Sequence, residues 1–156
     1  MDHERTKNEL KKHVVGGEAF LPITKILEET PYRKVGIRPA GLPYSIYELL
    51  YHIHFTQRDI LEYLSDSDYA EPKWPLEYWP KKKSPDNEQE WRLLIRNYLS
   101  QRKRATEFIE HSTDVTASLV RNPFHTELRE ILLIIEHTAY HTGQLMVLAR
   151  LLNAEN

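Results

Sequence analysis

From Thr126 to Leu152 the chain contains no proline and one glycine, and Leu128, Ile131, Leu132, Ile135, Leu145, Ala149 and Leu152 recur at three- and four-residue spacing. That period is an α-helix with one apolar stripe, and a stripe of this length needs partners of its own kind. Arg129, Glu136 and Arg150 gather on the opposite side. Within the stripe sit His137 and His141. Four residues apart on a helix, they lie about 40° apart around the axis and one turn apart along it. Measured around the axis from His137, Leu148 falls about 20° to one side and Gln144 about 20° to the other, whereas Glu136 falls about 100° away. Both imidazoles therefore face inward, at the edge of the buried arc.

The pair alone is a weak motif. With eight histidines in 156 residues, random placement yields about 0.4 such pairs, and the ordinary role of a buried histidine is a hydrogen bond to a carbonyl or carboxylate. A third histidine in the right place alters the odds.

The chain is long enough for one domain spanning residues 1–156 with a substantial core. A net charge of −2 and a pI near 6.4 offer no basic field for nucleic acid. The densest basic run, Lys81-Lys82-Lys83, reads as a solvated loop. The chain has no cysteine, so any bound metal takes nitrogen and oxygen ligands. No apolar run approaches the ~18 residues of a membrane span, and Met1-Asp2-His3-Glu4-Arg5 lacks an apolar signal region. A cytoplasmic protein is the expectation.

Glu4 to about Thr30 has a helical pattern with Leu10, Val14, Leu21 and Ile26 or Leu27 as core candidates, interrupted by Gly16-Gly17 and Pro22. Thr30 to Tyr44 reads as a long ordered connection. Ser45, with Glu48 three residues on, has capping-box spacing and opens a helix to about Leu64. Its apolar face carries Ile46, Leu49, Leu50, Ile53, Ile60 and Leu64; its polar face carries Tyr47, Tyr51, Arg58 and Glu62. His52 lies at the edge of the buried face, with Thr56, Asp59 and Glu48 stacked beside it as hydrogen-bond partners. His54 points about 200° away and reads as structural or surface. Ser65 to Asn87 is irregular and proline-rich, and its Tyr69, Trp74, Tyr78 and Trp79 must cover something apolar, as a lid on a pocket or as packing over the bundle's end. Asp86 or Asn87 begins a third helix through Trp91, Leu94, Ile95, Tyr98, Leu99, Ala105, Phe108 and Ile109 to about His111. After a break from Ser112 to Pro123, Phe124 and His125 lead into the last helix. His3, His13, His111 and His125 have no partner by spacing.

Four helices, no strand signals and no repeat predict an all-α four-helix bundle with long loops between helices 1 and 2 and between 2 and 3. His52 from the second helix with His137 and His141 from the fourth makes a three-nitrogen site with open positions, the pattern of catalytic rather than structural zinc. Zinc, nickel and other divalent ions that favour imidazole all fit. A zincin is excluded because Thr138 follows His137 where that motif needs glutamate. A di-iron bundle is excluded because Ile134 and Thr138 stand where Glu-x-x-His needs glutamates. There is no phosphate-binding Gly-rich loop and no Gly-x-Ser-x-Gly elbow.

The helix opening Ser45-Ile46-Tyr47-Glu48-Leu49-Leu50-Tyr51-His52, the early Gly16-Gly17, and above all Glu136-His137-Thr138-Ala139-Tyr140-His141-Thr142-Gly143-Gln144 resemble the DinB/YfiT-like metalloenzyme superfamily over essentially the whole chain. The resemblance implies an up-down-down-up bundle, often dimeric, with a divalent metal, commonly nickel or zinc, on His52, His137 and His141. Some relatives transfer low-molecular-weight thiols such as bacillithiol or mycothiol, and many carry only a hydrolase label. Two mechanisms follow as expectations: transfer of a metal-activated thiol to a small electrophile, or hydrolysis by metal-activated water. The second needs an acid or base, for which Glu48, Asp59 and Glu130 are within reach. The alternative is a bundle with a structural metal or none, acting as a binding protein.

Overall fold

The computed structural model describes residues 3–154. Its elements in chain order are α1 (His3–Val15), α2 (Ile23–Glu29), 3-10 turns at Tyr32–Lys34 and Pro39–Gly41, α3 (Ile46–Ser65), α4 (Glu88–His111), β1 (Ser118–Leu119), β2 (Asn122–Thr126) and α5 (Glu127–Ala154).

The helix ends follow from local chemistry. α1 stops at a glycine pair whose φ values, 81° at Gly16 and 96° at Gly17, are left-handed and suit glycine alone. What reads as one broken pattern over residues 4–30 is thus two helices, and Leu21, expected in the core, lies between them and is 39% exposed. α3 opens with a complete capping box: Glu48 N–H donates to Ser45 Oγ at 3.2 Å, and Ser45 N–H donates to Glu48 Oε2 at 2.8 Å. Asn87 caps α4 by accepting from Glu90 N–H at 2.9 Å.

Cross-helix contacts fix the directions. Lys7 Nζ donates to the Ser112 carbonyl and Arg102 to the Val15 carbonyl, so α1 and α4 are antiparallel. Tyr47 Oη donates to Glu90 Oε1 at 2.9 Å, joining the starts of α3 and α4, which therefore run parallel. Leu49 and Leu50, early in α3, share a cluster with Leu148 and Leu152, late in α5, whereas Leu61 joins Ile131 and Ile134, so α5 runs against α3. The four long helices are arranged up-down-down-up, as the resemblance implies.

Three sequence expectations need correction here. A small antiparallel hairpin, pairing Ser118 with Thr126 and Leu119 with Asn122, precedes α5. Its two-residue turn, Val120-Arg121, lacks the Asn-Gly or Asp-Gly signal, and Pro123 sits within β2. Tyr47, placed on the polar face, is buried, because its ring packs inside while its hydroxyl reaches Glu90. Leu132, placed in the apolar stripe, is 48% exposed.

The core has two apolar clusters. One joins Ile46, Leu49, Leu50 and Ile53 to Trp91, Leu94, Tyr98, Leu145, Leu148 and Leu152. The other joins Leu10, Val14 and Leu61 to Ala105, Ile109, Ile131 and Ile134. Along α5 the residues between Ile134 and Leu145 include His137 and His141; on α3, His52 adjoins Ile53 at the edge of the first cluster. The three histidines form a polar layer between α3 and α5 at the seam of the core.

Candidate metal centre

His52 is 2% exposed, His141 7%, and His137 is half-buried. Their ring centroids form a near-equilateral triangle: 4.8 Å from His52 to His137, 4.7 Å from His52 to His141 and 4.4 Å from His137 to His141. One ligand nitrogen from each lies within 4.8 Å of the others, and no carboxylate among the described residues joins the group.

The hydrogen bonds orient these nitrogens. His52 Nδ1–H donates to the backbone carbonyl of Tyr78 at 3.0 Å, which leaves Nε2 bare toward the centre. His141 Nδ1–H donates to Gln144 Oε1 at 2.6 Å, with the same result. His137 Nε2 lies 2.9 Å from His52 Nε2. Two nitrogens on one tetrahedral zinc are separated by about 3.3 Å, so this spacing fits a shared ion with small adjustment. Burial pushes His52 down to about 4 and His137, further opposed by its two histidine neighbours, down to about 3. Burial also lowers His141, against the Gln144 bond. All three are neutral at pH 7, the state in which imidazole binds metal.

The carboxylate neighbours expected for His52 are committed elsewhere. Glu48 completes the capping box and accepts a two-pronged ion pair from Arg38. Burial pushes its carboxyl up, but Arg38 and the Ser45 amide outweigh that and hold it below 4.5. Asp59 accepts from Tyr69 Oη at 2.8 Å and from Tyr78 Oη at 2.5 Å. Glu130, 3% exposed, pairs with Arg129 and lies 3.4 Å from His125, in a separate cleft of about 330 Å³ that Asp59 also lines. His54 is half-buried, its Nδ1 has no hydrogen-bond partner among the described residues, and burial lowers it to about 4. His125, without a partner by spacing, meets Tyr63 Oη at 2.9 Å across the bundle.

The proline-rich 66–80 segment supplies what no spacing rule locates. Trp79 stacks on His52 with centroids 4.1 Å apart and planes at 4°, and Tyr44 stacks on Trp79 at 6.2 Å. Trp74 and Tyr78 stand 6.2 and 6.4 Å from His52. The segment covers the His52 side of the centre, although Trp74 itself is 67% exposed. Gln144 was legible in principle, as a polar residue one turn beyond His141 on the same side. Beside it opens an apolar cleft of about 250 Å³ lined by Leu42, Tyr44, Tyr140, Gly143, Gln144 and Val147.

Among the described residues no helix is long and apolar enough to cross a membrane. No match was found among curated proteins or solved structures. The sequence model of the DinB superfamily matches residues 23–145, which include α3, all three histidines and Gln144. With four long helices in this order and a three-histidine group able to hold a metal ion, the chain belongs to the DinB superfamily.

Proposed function

We propose that the protein is a divalent-metal-dependent enzyme that transfers a low-molecular-weight thiol to a small electrophile. The observation that carries this reading is three neutral imidazoles converging without a fourth protein ligand among the described residues, whereas a structural site is closed by four. His52, His137 and His141 would hold zinc or nickel. When bound, the ion supplies a Lewis acid that lowers the pKa of a thiol or water on its open side.

The chain's residues favour the thiol over water. Hydrolysis calls for a side chain to protonate the leaving group, and Glu48, Asp59 and Glu130 are each engaged by a cation or two tyrosines. Trp79 and Tyr78 exclude solvent from one side of His52, and Gln144 holds His141 in the ligating tautomer. The apolar cleft beside Gln144 suits the uncharged body of an electrophile.

The first test is metal content by mass spectrometry on untagged wild-type protein and His137→Ala. About one divalent ion per chain, lost in the variant while helical circular dichroism persists, supports the reading. Electrophiles are then screened with and without added thiol; turnover that needs both metal and thiol identifies the transferase, and turnover with metal alone the hydrolase. A wild-type chain that stays metal-free after reconstitution with zinc and nickel leaves a binding protein.

A further inference from the structure

We infer that Asp59 is a positioning residue for the metal ligand His52, acting through Tyr78. Asp59 follows His52 by seven residues, two turns of α3, so it lies on nearly the same face about 10 Å further along. It is 7% exposed and takes no part in the histidine group. Its two oxygens accept from two tyrosines of the same loop, Tyr69 at 2.8 Å and Tyr78 at 2.5 Å. A phenol hydroxyl facing a carboxylate oxygen at these distances donates to it.

Tyr78 is the joint of the device. Its hydroxyl is tied to Asp59, and its backbone carbonyl accepts the Nδ1 proton of His52 at 3.0 Å. That single bond selects the His52 tautomer whose Nε2 is free for metal. The next residue, Trp79, lies flat on the same imidazole. Asp59 therefore anchors the stretch of loop that fixes both the tautomer and the ring plane of His52. The Tyr69 end has other holds, since Tyr63 packs edge-on against Tyr69 at 5.4 Å and Arg121 lies 5.2 Å over its ring. The Tyr78 ring is also packed, by Phe55 at 4.9 Å and Trp74 at 5.0 Å, but Tyr78 is the residue whose own carbonyl holds His52. Groups that orient a ligating histidine from behind are worth roughly 10- to 100-fold in metal affinity.

The assignment rests on the metal-binding reading, and its test uses two readouts so that the two can fail separately. Zn²⁺ affinity of the full chain is measured by competition with a chromophoric chelator, and the His52 tautomer by long-range ¹H–¹⁵N spectra of the metal-free chain. Wild type should show His52 protonated at Nδ1. Asp59→Ala and Tyr78→Phe should mix the tautomers and weaken Zn²⁺ binding, by roughly 10- to 100-fold for Asp59→Ala, whereas Tyr69→Phe should stay within about twofold of wild type. If Asp59→Ala does not fold, Tyr78→Phe, which removes one oxygen and keeps the ring, decides. A wild-type tautomer and affinity in folded Asp59→Ala, or in Tyr78→Phe when that variant decides, overturns the assignment. If wild type binds no Zn²⁺, the metal reading fails and the tautomer alone judges Asp59.

Discussion

Replacing Glu48 with Gln separates a structural carboxylate from a catalytic one. Glu48 stands one turn before His52, and its carboxylate bonds to its own helix end and to Arg38. The amide of Gln can still accept from Ser45 N–H, so most of the cap survives. What is lost is the charge: the ion pair with Arg38 and a favourable anion at a helix N-terminus. A charge-assisted hydrogen bond exceeds a neutral one by about 1 kcal/mol, and the helix-end charge adds about 0.5 kcal/mol. The Arg38 side chain is 42% exposed and regains water in the variant, so its loss adds little more. The total is about 1.5 kcal/mol. For a chain of this length that lowers Tm by about 3–6 °C. Because the folded carboxyl titrates below 4.5, the extra stability is present above pH 4.5 and is lost as pH falls through the depressed value. Urea unfolding of both proteins at pH 7 and pH 4 should therefore show a difference at pH 7 that shrinks at pH 4. Metal content should match wild type. An unchanged Tm at pH 7, or loss of metal with the fold intact, refutes the structural assignment.

The metal-free protein should lose stability as pH falls below 6.5, because unfolded histidines take up protons there while His52 and His137 resist protonation down to about 4 and 3. Urea midpoints from pH 8 to pH 5 check the sign, and a flat profile contradicts the buried, neutral triad. Gly36→Ala should cost about 1–3 kcal/mol, because an added Cβ would sit 2.3 Å from Ser84 Cβ. Adding Ser84→Gly should recover part of the loss in a thermal melt, the Ser84 Cα still lying 3.1 Å from the added Cβ, and an unaffected single variant refutes the close approach.

The legible parts of this molecule are those governed by helical period. The capping box at Ser45 and Glu48, the start of α4 at Asp86 or Asn87, and the inward placement of His52, His137 and His141 all follow from residue type and spacing along one helix. What escaped depends on chain segments meeting across space. Nothing in the spacing of Tyr78 or Trp79 says that a proline-rich loop folds back over His52, nor that Asp59 is spent on tyrosines. The hairpin before α5 was missed because its turn lacks glycine and its strands are too short to show alternation. Tyr47 was assigned to the wrong face because a tyrosine can bury its ring and still satisfy its hydroxyl at Glu90.

His52 and His137 are 85 residues apart in the chain, and the whole of α4 with its flanking connections lies between them in sequence. The histidine group is thus assembled from a non-local pairing of α3 with α5 rather than from any local unit. A fragment ending before α5 has one of the three histidines. Acquisition of Zn²⁺ binding during refolding should then keep pace with the docking of α5 on α3, so that a bound ion would report that one long-range pairing.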